Sequence, residues 1–177
     1  MSERPARYQR SFSGLVGAMV VLLLVVIGFV VFRGSIRDNQ EVPLKAIDYA
    51  DSLPFIREQA SFPVLAPPSL PEGWKATSLR FEDSRPQSWH LGVHTDAGDY
   101  VGIEQARDAV SVLLEEYVDE DAVKGDPVEI AGTTWDTYSD DGGDRAVVRR
   151  EAGMTVLVVG TFSADELHDY VASLRDS

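Results

Sequence analysis

Between Ser11 and Phe32 the chain runs 22 residues without a charged side chain, most of them Val, Leu, Ile, Phe, Gly, Ala or Met. A helix of that length rises about 33 Å, enough to cross a hydrocarbon core about 30 Å thick. A buried core helix would be shorter and would carry a polar stripe, and Val16 to Phe32 has none. A cleaved signal peptide would share the basic start formed by Arg4, Arg7 and Arg10. It would have a shorter apolar stretch and a small-residue cleavage site, whereas Phe32-Arg33-Gly34-Ser35-Ile36-Arg37 comes next in this chain. The expectation is an uncleaved transmembrane helix over 12–32, preceded by a basic cytoplasmic tail over 1–11. The arginine bias places the N-terminus inside and the remainder outside, in a single-pass protein of the cell membrane.

Charge divides the chain at the same place. Residues 1–37 hold five Arg and one Glu, +4, and the whole chain is −13, so residues 38–177 carry −17. Such a domain repels nucleic-acid phosphates and anionic headgroups; its charge reads first as solubility and colloidal repulsion, and second as attraction for cations or basic partners. There is no cysteine, which excludes disulfides, thiolate metal sites and Cys nucleophiles. The outer part must be held by its core alone, for which its length suffices.

Residues 33–60 read as a juxtamembrane connector containing a short helix, with Asp51 or Ser52 as cap and Pro54 near its start. Residues 61–177 read as the extracytoplasmic domain. It opens with four prolines between Pro63 and Pro71, which forbid a helix. The interspersed Phe62, Val64, Leu65 and Trp74 point to an extended segment docked on a core. From Lys75 the period becomes two. Thr77, Leu79 and Phe81 alternate with polar neighbours, then Trp89, Leu91 and Val93, then Val101 and Ile103, with turn residues between: an antiparallel meander. Asp108 is placed to cap a helix whose Val110, Leu113, Leu114, Tyr117 and Val118 share a face.

The second half has the same plan. Strands are expected at Val128–Ile130, Trp135–Tyr138, Arg145–Arg150 and Met154–Val159, the last apolar enough to be buried on both faces. Ser163-Ala164-Asp165-Glu166 is a capping box for a final helix with Leu167, Tyr170, Val171 and Leu174 on one face. The expected fold is α+β: an antiparallel β-sheet with about two principal helices. Ala97-Gly98 matches Ala152-Gly153 at an offset of 55, which suggests a duplicated β-β-β-α unit.

Chemistry is sparsely signalled. His90 and His94 on one strand would lie about 13 Å apart, too far to share a metal ion, and read as solvent-face residues. His168 reads as a residue of the outer face of the last helix. There is no Gly-x-Ser-x-Gly, His-Glu-x-x-His, Gly-rich phosphate loop or Ser-x-x-Lys. Asp119-Glu120-Asp121 and Asp140-Asp141-Gly142-Gly143-Asp144 read as solvated turns, the second departing from a calcium loop. No catalytic, cofactor or metal residues are expected. Trp74, Trp89 and Trp135 are the remaining ligand-binding candidates, by stacking on a sugar or lipid, although a tryptophan more often belongs to the core or covers a sheet edge. Gly14 and Ala18 have the small-xxx-small spacing of a helix contact.

Phe62-Pro63-Val64-Leu65-Ala66-Pro67 with Leu70-Pro71-Glu72-Gly73-Trp74 resembles the opening of a known family. Ile130-Ala131-Gly132-Thr133-Thr134-Trp135 and Val156-Leu157-Val158-Val159-Gly160-Thr161 with Glu166-Leu167 carry the same likeness. Together with one N-terminal anchor they resemble an actinobacterial domain-of-unknown-function family (number four-two-four-five) over nearly the whole chain. The resemblance implies an envelope protein with one N-terminal helix and supplies no catalytic residues. The leading expectation is a non-enzymatic binding or accessory module of the bacterial cell envelope, with an envelope protein, glycan or lipid as partner. The alternatives are an envelope hydrolase using acidic residues and an accessory subunit of a membrane complex acting through its helix.

Overall fold

A computed structural model describes Met19, Leu22, Leu23 and Val26, and residues 45–176. The first four are helical and exposed. The rest of the expected span, Gly14 and Ala18 included, lies outside the described residues. Among the described residues no helix is long and apolar enough to cross a membrane. Contacts divide the chain into Met1–Pro43 and Leu44–Ser177, and the sheet and its helices belong to the second unit.

The elements of that unit are α1 (Leu53–Gln59), β1 (Lys75–Glu82), β2 (Ser88–His94), β3 (Tyr100–Ala106), α2 (Val110–Tyr117), β4 (Val123–Lys124), β5 (Val128–Ile130), β6 (Thr133–Ser139), β7 (Arg145–Glu151), β8 (Met154–Gly160) and α3 (Ala164–Ser173). The fold is α+β. Antiparallel strands lie in the order β1-β2-β3-β8-β7-β6-β4, and β5 pairs with β6. Strand β8, buried at every position, holds the centre between β3 and β7. Its unbroken Met-Thr-Val-Leu-Val-Val run has no polar face because both faces are covered.

Alternation sorts the two faces. Leu91, Val93, Val101, Ile103, Val147, Val156 and Val158 point into the larger core, where α1, the proline-rich segment and Leu167, Tyr170, Val171 and Leu174 pack. Ala106, Ala146, Val148, Leu157 and Val159 point the other way, against Leu113 and Leu114 of α2. Tyr49, Leu53 and Ile56, from the stretch read as a connector, belong to the larger core.

The proline-rich segment is fastened by side chains, since prolines cannot donate to a ladder. Gln105 accepts from Leu65 N–H (2.7 Å) through Oε1 and donates to Pro63 O (2.9 Å) through Nε2. Trp89, directly opposite Gln105 in the β2–β3 pairing, donates from Nε1 to Leu65 O (3.0 Å). Ala66 and Arg175 exchange backbone hydrogen bonds (3.0 and 2.9 Å), and the Tyr49 hydroxyl donates to Pro67 O (2.9 Å).

Caps and turns account for the element ends. Ser163 and Glu166 form the expected reciprocal box at the start of α3. Asp108 does not cap α2. Ala109 occupies that position without a side-chain hydrogen bond, and the Asp108 carbonyl accepts from Thr155 Oγ1 (2.7 Å), which turns the chain one residue later. Ala131-Gly132 and Ala152-Gly153 are two-residue hairpin turns with positive φ at both residues, the conformation that matches strand twist and favours glycine. Ala97-Gly98 lies in the longer connection from His94 to Tyr100 and has positive φ only at Gly98.

The offset of 55 carries Ile103 onto Val158, and these residues face each other across β3 and β8. The three-strand halves are therefore related about that pair by a local two-fold normal to the sheet. Such an axis would place α2 and α3 on one face, and they lie on opposite faces. The helices thus do not follow the expected β-β-β-α repeat.

Replacing Gln105 with Ala leaves Leu65 N–H and Pro63 O without partners inside the core. The expected cost is about 2–4 kcal/mol, or roughly 5–15 °C in Tm for a domain of this size, measured by thermal unfolding of the protein.

Candidate functional site

The three tryptophans do not converge. Trp89 and Trp135 are buried in the larger core at 1% and 3% exposure, and the Arg149 guanidinium covers the Trp135 ring at 4.8 Å. Neither offers a free ring face. Trp74 is half-buried and lines an open cleft of about 450 Å³ with Pro67, Leu70, Pro71, Tyr170, Glu166 and Asp169. The turn Pro71–Trp74, closed by Trp74 N–H to Pro71 O (3.2 Å) with Gly73 at φ +86°, presents the indole. Its ring packs on Phe162 (5.3 Å between centroids) and stacks on Tyr170 (6.1 Å).

The cleft is apolar in its walls and acidic at its rim. Hydrogen bonds from Ser163 hold the Glu166 carboxyl below the usual range, so it stays ionised. Tyr170 is almost wholly buried, and its hydroxyl has no partner among the described residues. Burial and the neighbouring Tyr49 push its ionisation far up, leaving a neutral group able to donate and accept.

A second cluster lies on β1–β3, on the sheet face that α2 covers only in part. His90 is buried at 8% exposure, not solvent-facing as its alternating position implies. Its Nδ1 meets the carboxylate of Glu104, itself 4% exposed and directly opposite in register. Its Nε2 lies 2.7 Å from Ser78 Oγ. His94 bonds Thr77 Oγ1 (2.9 Å) and tilts against Tyr100 (5.1 Å). Gly92 and Gly102 face each other in the pairing and form a floor for the Tyr100 ring. A Cβ on Gly102 would stand 2.6 Å from the Tyr100 hydroxyl, so neither glycine has room for a side chain. Arg80 donates to the Tyr117 hydroxyl (3.1 Å).

Alternation along the chain puts Ser78, His90, Gly92, Gly102 and Glu104 on polar positions, but it carries no sign of the register that aligns them. His168 is half-buried in a cavity between α3 and the strands. Among the described residues no group of three or more His, Asp or Glu is arranged to hold a metal ion. Asp140 Oδ1 accepts from Gly143 and Asp144 N–H (2.8 and 2.7 Å), and Asp119 Oδ1 accepts from Asp121 N–H (2.8 Å). Both acidic runs thus satisfy their own turns.

Burial and the Glu104 charge push Tyr100 and Tyr117 up to about 12, against a lowering by Arg80. Between pH 10 and 12 the unfolded chain releases these protons and the folded chain retains them, so stability falls with rising pH across that window and is flat just below it. Spectrophotometric phenol titration at 295 nm alongside denaturant unfolding is expected to show at least three phenols of the folded domain, Tyr100, Tyr117 and Tyr170, still protonated at about pH 11.

A model of a family described as proteins of unknown function, DUF4245, matches residues 7–174. No curated protein matches the chain. The family match covers nearly the whole sequence and takes in both the Trp74 cleft and the β1–β3 cluster: the chain belongs to the DUF4245 family.

Proposed function

We propose that this protein is a membrane-anchored module of the cell envelope whose outer domain captures a basic segment of another envelope protein in the Trp74 cleft. The observation that carries the reading is the half-buried Trp74 ring in an apolar cleft rimmed by Glu166 and Asp169. A complementary occupant needs an apolar or planar group to cover Trp74 and positive charge for Glu166 and Asp169. An arginine- or lysine-bearing peptide supplies both, and an aromatic face adds cation–π attraction. The −17 of residues 38–177 would speed encounter with such a partner. Membrane attachment is supported by the uncharged Ser11–Phe32 run and by the exposed, helical Met19, Leu22, Leu23 and Val26.

A photo-activatable residue at exposed Ser69, in the full-length protein in cells, is expected to cross-link a basic envelope protein. Trp74→Ala is expected to reduce that adduct at least tenfold, and raised salt to weaken it. A lipid or glycan adduct in its place, or a protein adduct insensitive to Trp74→Ala, overturns the reading. For the membrane placement, a C-terminal alkaline phosphatase fusion is expected to be active. An inactive fusion with a fully expressed chain would place the domain inside.

A further inference from the structure

Three side chains that the cleft does not use lie in a row on the opposite face of the sheet. Strands β1, β2 and β3 set Ser78, His90 and Glu104 side by side, with Ser78 Oγ 2.7 Å from His90 Nε2 and Glu104 on His90 Nδ1. We propose that Ser78 is a nucleophile activated by His90 and oriented through Glu104, and that the protein hydrolyses carboxylic esters.

The geometry carries each role. A buried carboxylate on Nδ1 fixes the tautomer with the proton on that nitrogen, leaving Nε2 to accept the serine proton. The Ser–His separation is within the reach required of a general base. Glu104 touches no reacting atom and acts through His90, as a positioning residue. Ser78 is half-buried on β1, a strand at the sheet's edge. The Ser78 hydroxyl also gives the buried His90 Nε2 its hydrogen-bond partner. The Tyr100 hydroxyl and Ser78 Oγ both stand over Gly92, which places that hydroxyl to donate to the oxyanion. No local motif marks the row, because Ser78 sits within a strand and not on a strand-to-helix elbow.

The step is an ordinary acyl transfer. Ser78 Oγ bonds to the carbonyl carbon as its proton passes to Nε2. The carbon–oxygen bond to the leaving alcohol breaks and the alcohol takes that proton. Water, giving its proton to Nε2, then attacks the acyl-serine, and the returned proton restores Ser78 as the carboxylic acid leaves.

The test is made on the full-length protein in detergent micelles with a fluorophosphonate probe and with p-nitrophenyl butyrate. The expected result is a phosphonyl mass increment on the peptide containing Ser78 and ester turnover above buffer. Both are expected to be lost in Ser78→Ala with an unchanged circular dichroism spectrum. Glu104→Gln is expected to lower turnover by a factor on the order of 10³, with partial rescue by Glu104→Asp, which a purely structural role would not give. Trp74→Ala is expected to leave labelling intact, so failure of the esterase proposal and failure of the cleft reading are separable. A folded protein unlabelled at Ser78, or turnover that survives Ser78→Ala, overturns the proposal.

Discussion

The domain depends on how a segment that cannot join a sheet is held against one. Pro63, Pro67, Pro68 and Pro71 remove ladder donors, yet Phe62, Val64, Leu65 and Ala66 must be buried to close the larger core. Gln105 and Trp89 resolve this from adjacent strands, binding Pro63 O and both polar groups of Leu65. A buried amide that donates and accepts leaves no orphan of its own at this contact. The contact fixes residues 62–66 across β2 and β3, and the chain then continues to the turn that presents Trp74. The position of the cleft is therefore set by a glutamine in a strand well beyond it in the sequence.

The two faces of the sheet do different work because they are covered differently. The α1, α3 and proline-rich layer buries one face almost entirely, and its seam between the proline-rich segment and α3 is the cleft. On the other face α2 spans only part of the width, over Ala106, Ala146, Val148, Leu157 and Val159. The remaining width is filled by Ser78, His90, Glu104 and Tyr100, which bond one another or lie over glycine. Where a helix would have supplied apolar cover, glycine and tyrosine make a thin lid, and buried polar atoms find partners within the patch.

Much of the fold is legible in the chain because the signals are local. Alternation places the strands, Ser163-Ala164-Asp165-Glu166 marks the start of α3, and the prolines mark a docked extended segment. The spacing of Leu113 and Leu114 places α2, although Asp108 is not its cap, because a threonine from β8 holds the Asp108 carbonyl. The repeat at offset 55 agrees with the strand pairing at Ile103 and Val158. The side of the sheet on which each helix settles is not legible, because an amphipathic helix shows its apolar face without saying which surface receives it.

Composition, period and local motifs are specified by neighbours in the chain. They suffice for a charge-divided protein with a long apolar run, for an antiparallel sheet with a doubly buried central strand, and for family membership. Three features needed the folded domain: Trp74, and not Trp89 or Trp135, has a ring at a cleft; the Tyr170 hydroxyl is buried with no partner among the described residues; and His90 is buried between Ser78 and Glu104. Each of those depends on register across strands or on which layer covers a side chain. A shift of one residue in register would have turned the same side chains to the other face.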